Sequence, residues 1–298
     1  MASQKFRREG IRMMKNLLRI TRGLAFALAL AVLLGAAAED SRLRGYNREE
    51  GYVYVTLGQY PQTAEGEVQP ILWRVLTTDG EKAFLLSEYI LFARSMHTSL
   101  KEYRDELKGD FSRTELCRYL NTEFADQAFS AAEAEMLLPC ENFGKVFLLS
   151  LEEMKNKSWG LGAVNPGTHS LKKILADPGV RAWGTEWAVR NNGFPEDEYP
   201  DPKARVIGRA GAHISQGEMR LFVYSERDGS CSPYWGRTQS SSDARHAVCT
   251  KGGGSIGHIE VGRDNEGVRP AVWLAWDTFR IESGAGTLEE PYVVSPAQ

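Results

Sequence analysis

Pro70-Ile71-Leu72-Trp73-Arg74-Val75-Leu76, Asp79-Gly80 and Ala83-Phe84-Leu85-Leu86 decide the fold class. Two apolar, β-rich runs meet across Asp-Gly, the pair that most readily takes up the positive φ of a tight hairpin turn. Upstream, Tyr52-Val53-Tyr54-Val55-Thr56-Leu57 alternates with a period of two, as a half-buried strand does, until Gly58-Gln59-Tyr60-Pro61-Gln62 interrupts it. The three runs predict an antiparallel meander. The period then changes. Ser112 or Thr114 can cap a short helix carrying Leu116, Tyr119 and Leu120 on one face. Asn121 to Leu137 continues in the same period, with Ser130 and Glu133 spaced as a capping box, so two helices follow the meander. Lys145 to Ser150 reads as a strand, and Leu151-Glu152-Glu153-Met154 opens a turn or helix. Strands return in Leu221–Tyr224, Ser232–Arg237, Ile256–Val261 and Ala271–Trp276, with a glycine turn at Gly252-Gly253-Gly254. The fold class is α+β, an N-terminal antiparallel meander plus helices followed by a C-terminal twisted antiparallel sheet.

The ends and the charge bound the function. Of 298 residues, 36 are Lys or Arg and 39 are Asp or Glu. Seven of the basic residues and one acid fall in residues 1–38, which leaves 29 basic and 38 acidic residues, net -9, in the remainder. That balance argues against a nucleic-acid partner, because phosphate neutralisation needs a basic face. Residues 1–38 read as a secretory signal: a basic stretch, an apolar core from Leu24 to Leu34, and Ala36-Ala37-Ala38 before Glu39-Asp40. Cleavage is expected after Ala38, and an uncleaved N-terminal anchor is the alternative. Residues 39–50 are charged and polar and read as a linker, and 51–298 as a single α+β domain with no membrane span. Within it, 156–204 is a loop-rich insertion containing Trp159, Trp183 and Trp187, with some helix near Leu171 to Leu175.

Export changes how the four cysteines read. Cys117, Cys140, Cys231 and Cys249 form an even set in an oxidising compartment. Cys117–Cys140 and Cys231–Cys249 are the expected disulfides, because each closes a short local loop. Four buried thiols are the alternative.

Other residue types suggest chemistry only weakly. His258 and Glu260 share a strand face near His246 and Asp264, which makes a metal site conceivable, but solvated hairpin residues are the better reading. Ser240-Ser241-Ser242-Asp243 with His246 has the types for a nucleophile, base and orienter, yet adjacency in sequence is not triad geometry. Glu196, Asp197, Glu198 and Asp201 offer carboxylates without a distinctive pair. No catalytic residue, metal or cofactor is assigned.

Several phrases in fixed order carry a resemblance: Gly58-Gln59-Tyr60-Pro61-Gln62, Ile71 to Leu76, Leu116 to Phe124 with Ala128-Phe129-Ser130, Lys145 to Ser150, Tyr234-Trp235-Gly236-Arg237, and Gly267-Val268-Arg269-Pro270-Ala271-Val272-Trp273-Leu274. Over roughly residues 52–276 the chain resembles a family of uncharacterised bacterial domains, often exported or surface-associated, with a W-W-L-R-S-P segment and a G-V-R-P-A-L ending. The resemblance implies a C-type-lectin-like C-terminal half. This chain departs from the pattern at Gly236 and Thr238-Gln239 and in its long insertion, and it lacks the E-P-N and W-N-D calcium signatures of sugar-binding lectins. Such folds present aromatic and Arg side chains on a loop-built face, which would place Trp235, Arg237, Ser240, Asp243 and His246 against a ligand. The expected function is an extracytoplasmic binding module, secreted, periplasmic or at the cell surface, that recognises a glycan or protein ligand without catalysis. The alternatives are an extracytoplasmic hydrolytic or oxidative enzyme and a scaffold for a surface assembly.

Overall fold

Asp79-Gly80 makes the predicted turn. In the computed structural model, which describes residues 43–163, 179–191, 213–215, 218–220, 232–251 and 254–297, Asp79 Oδ1 accepts from the Glu81 and Lys82 N–H groups at 3.1 and 3.0 Å. Gly80 takes φ +87°, which a side chain would oppose. The elements are β1 (Tyr54–Pro61), β2 (Val68–Thr78), β3 (Lys82–Ser87), β4 (Phe92–Ala93), α1 (Leu100–Asp105), α2 (Glu115–Leu120), α3 (Glu123–Ala128), α4 (Ala131–Met136), β5 (Leu137–Leu138), β6 (Val146–Phe147), α5 (Leu151–Met154) and α6 (Glu186–Arg190). They continue with β7 (His213–Ser215), β8 (Glu218–Arg220), β9 (Trp235–Gln239), β10 (His246–Thr250), β11 (Ile256–Glu260), β12 (Gly267–Val268), β13 (Ala271–Ala275), β14 (Phe279–Ser283) and β15 (Tyr292–Pro296). The architecture is mixed α+β, mostly sheet with a few short helices. The signal peptide expected over 1–38, and the helix expected near Leu171 to Leu175, lie outside the described residues. So does the strand expected at Leu221–Tyr224. Among the described residues no helix is long and apolar enough to cross a membrane.

The main sheet runs β14-β15-β1-β2-β3-β13-β5, with β6 also on β13. All its pairs are antiparallel except β1 with β15. The meander and the C-terminal strands are therefore not separate halves, as the sequence suggested, because β13 zips onto β3 and β15 lies beside β1. The composition of β13 explains its place. Ala271, Val272, Leu274 and Ala275 are buried, so both of its faces need cover, as in a central strand. One sheet face meets the helices, with Trp73 stacked on Phe129 and its indole N–H donating to Leu57 O at 2.8 Å. Elsewhere in the core Phe84 lies between Phe147, Trp159 and Trp273.

Helix starts follow the side chains that satisfy their free N–H groups. Thr114 caps α2 by accepting from Cys117 N, and Ser130 with Glu133 forms a reciprocal capping box on α4. Ser150 with Glu153 repeats it on α5. The stretch read as a linker is held to the sheet from Arg44 onward, with Tyr46 N–H on Leu76 O and a short bridge between Asn47 and Gly51.

Gly58 carries the next constraint. The β1–β2 register slips between Thr56 and Gln59, and Gly58 takes φ +66° at that bulge. A Cβ there would meet Ala128 O at 2.6 Å and the Phe129 ring at 2.7 Å. Gly58→Ala will therefore lose about 2 kcal/mol in urea unfolding. An unchanged midpoint would show that the bulge can relax.

Candidate functional site

The residues expected to face a ligand are dispersed. Trp235 is a core residue, 0% exposed, whose indole N–H donates to Arg94 O at 2.8 Å. It leads β9 into the interior, so it does not present its ring to a ligand. Arg237 is also engaged, spanning Leu148 O and the Glu153 carboxylate (Nη2 to Oε1 3.0 Å) and lying over the Phe143 and Phe147 rings. It fastens β9 to α5. Ser240, Asp243 and His246 stay together in the β9–β10 turn.

The indole that holds Arg94 O points instead to a site absent from the sequence reading. Residues 94–98 leave β4, α2 starts at Glu115, Asn191 follows the end of α6, and the turn between β11 and β12 carries Asp264. These four segments line an open cleft of about 310 Å³ containing Arg94, Ser95, Thr98, Glu115, Asn191 and Asp264. The Arg94 backbone is fixed from both sides, its N–H donating to Glu266 O at 3.0 Å and its carbonyl accepting from Trp235. Its guanidinium lies over the Tyr119 ring, 4.0 Å from the centroid. Among the described residues no carboxylate pairs with Arg94, and Asp264 has no ion-pair partner. Thr98 donates from N–H and Oγ1 to Glu115 at 2.9 and 2.8 Å. Burial opposes ionisation of Glu115, but those bonds outweigh it and hold the carboxyl below its usual range. The cleft therefore offers a stacked donor fork, two carboxylates, an amide and hydroxyls. That set suits a ligand rich in hydroxyl groups better than an apolar one.

The sequence model of a domain of unknown function (DUF6273) matches residues 80–276, two-thirds of the chain. The chain belongs to this family. No curated protein and no solved structure matches it. The matched span of this DUF6273 chain opens at Gly80 and closes at Trp276, so it holds every residue of the cleft, while β1, β2, β14 and β15 extend the sheet outside it.

The β9–β10 turn of this DUF6273 domain is not a Ser-His-Asp triad. Ser242 Oγ lies 3.0 Å from His258 Nε2, whereas Asp243 is 3.9 Å from the Nδ1 of the other histidine, His246. The two imidazoles stack at 5.7 Å between centroids. Asp243 is committed to Arg245 through paired bonds of 3.1 and 2.7 Å, and these hold its carboxyl well below the usual range. Among the described residues no acid orients His258 toward Ser242, so the relay is broken between two rings. Among the described residues, no three His, Cys, Asp or Glu side chains are placed to hold a metal ion.

The expected Cys117–Cys140 disulfide is corrected, and the expected Cys231–Cys249 pairing lies outside the described residues. Cys117, Cys140 and Cys249 are free thiols, and Cys231 lies outside the described residues. Cys117 faces into the domain from α2 and donates its S–H toward Phe143 O at 3.4 Å. Cys140 instead opens the turn closed by its N–H on Gly144 O. Burial pushes the Cys117 thiol up to about 11 and the Cys249 thiol up to about 12, which disfavours the thiolate that reactive cysteines need.

Proposed function

We propose that this protein is an extracytoplasmic binding module that recognises a cell-surface glycan in the cleft at Arg94, without catalysis. The observation that carries the reading is a pair of opposite charges with no ion-pair partner among the described residues, Arg94 braced on Tyr119 and Asp264 lining the same cleft. Sugar hydroxyls donate to carboxylates and accept from guanidinium, so such a ligand can use both without bringing a charge of its own. The leader-like residues 1–38 support an address outside the cytoplasm. A C-type-lectin-like relationship is part of the same proposal. It is supported by β1 and β15 lying side by side near the two ends of the chain, and by the separate sheet β11-β10-β9 after the loop-rich stretch.

The test is an array of bacterial and host glycans probed with the purified chain, with and without a chelator. Saturable binding that survives the chelator and weakens about tenfold or more in Arg94→Ala is the expected result, since hydrogen bonds to charged groups contribute about 1.5–3 kcal/mol. Binding abolished by the chelator would contradict the metal-free reading. A silent array would move the proposal from a glycan to a protein ligand.

A further inference from the structure

We infer that Arg74 and Arg269 together hold a small monoanion of chloride size inside the domain. Both guanidiniums are buried, at 1% and 0% exposure, and Glu88 is the carboxylate that pairs with Arg74. Glu88 takes two bonds of 2.6 Å, from Arg74 Nε and Nη2. Arg269 donates from Nε to Ser87 O at 2.7 Å and from Nη1 to the Tyr234 hydroxyl at 3.3 Å. Arg74 Nη1 and Arg269 Nη2 remain buried with no hydrogen-bond partner.

Among the described residues, two cations and one carboxylate leave an excess positive charge. A buried Lys could shed its proton, but a guanidinium cannot. Nor do the neighbouring hydroxyls supply a negative charge. The rings of Tyr52 and Tyr234 lie under Arg74 and Arg269 at 4.5 and 5.3 Å, and Tyr234 donates onward to Val180 O at 2.8 Å. Burial raises Tyr52, and raises Tyr54 to about 12, so both stay protonated near neutral pH. Water at each orphan N–H would satisfy its hydrogen bond but not the charge. An anion satisfies both, which is the physical reason to place one there.

The experiment compares urea unfolding of the purified full chain in sodium chloride and in sodium gluconate at matched ionic strength. The expected result is a midpoint that rises with chloride and not with gluconate, the folding constant gaining about tenfold for each tenfold rise in chloride once it exceeds the dissociation constant. Identical curves in the two salts would overturn the inference. Arg269→Met should abolish the chloride dependence, and a dependence that persists would equally overturn it. Should that variant fail to fold, crystals of the unaltered protein grown in bromide decide the matter. An anomalous peak within hydrogen-bonding reach of Arg74 Nη1 or Arg269 Nη2 supports the site, and its absence refutes it.

Discussion

Glu88→Gln will lower the unfolding free energy by about 3–5 kcal/mol, because it removes the carboxylate that pairs with the buried Arg74 guanidinium. Both bonds of the pair measure 2.6 Å and both partners are buried, Arg74 at 1% and Glu88 at 7% exposure. The pair itself contributes less than that loss. Removing both charges in Arg74→Met with Glu88→Leu eliminates two desolvation penalties, so the double variant should lose far less than the two single variants added together. The pH dependence has a definite sign. Burial works against Glu88 ionisation, but the charge and hydrogen bonds of Arg74, aided by Arg269, overcome it and hold the carboxyl below its ordinary value of 4.5. A depressed carboxyl contributes stability that is complete above the unfolded value and is lost as pH falls through the folded one. Urea unfolding at pH 7 and below pH 4.5 reads both effects. The unaltered protein should lose stability on acidification by a component that Glu88→Gln lacks, and equal slopes would show that the carboxylate is not the charged partner.

Glu266→Gln will do the opposite and stabilise the protein above neutral pH. Glu266 is 4% exposed at the approach to β12, its Oε1 has no partner, and burial pushes its carboxyl from 4.5 up to about 7, with Lys251 and Arg263 and a hydrogen bond to Cys249 pulling the other way. A raised carboxyl binds its proton more tightly when folded, so the contribution of Glu266 to stability is greatest below 4.5 and is lost as pH rises to about 7. At about 1.4 kcal/mol per unit, the loss comes to roughly 3 kcal/mol. The amide keeps the shape of the side chain without the ionisable proton, so the variant should be flat between pH 5 and 8 where the unaltered protein declines. Parallel curves would mean that Glu266 ionises freely or that the site opens to water. Because the Glu266 carbonyl takes the Arg94 N–H, the same titration bears on the floor of the cleft.

The parts of this fold that were legible in the sequence are those whose signals are local. Asp79-Gly80 announces its hairpin, Ser130 with Glu133 its helix start, and the ordered phrases from Lys145 to Leu274 their domain family. What was not legible depends on partners distant in the chain. The apolar run Ala271–Ala275 reads as a strand, but nothing in it says that Phe84 lies opposite Trp273. Trp235 is an aromatic beside a polar loop in the sequence, and only the fold shows that it supports Arg94 from behind. The cleft draws on four segments spread from Arg94 to Asp264, with no motif between them. A buried charge is equally silent in sequence. Arg74 and Arg269 sit inside quoted phrases without any local sign that they come within electrostatic reach of each other.

The most direct test of the central claim is a calorimetric titration of the unaltered chain, Arg94→Ala and Ser242→Ala with a glycan that the array retains. The account predicts that Arg94→Ala weakens binding about tenfold or more while Ser242→Ala leaves it unchanged, which places the ligand in the cleft. Full affinity in Arg94→Ala together with loss in Ser242→Ala would contradict it and move the ligand to the β9–β10 turn.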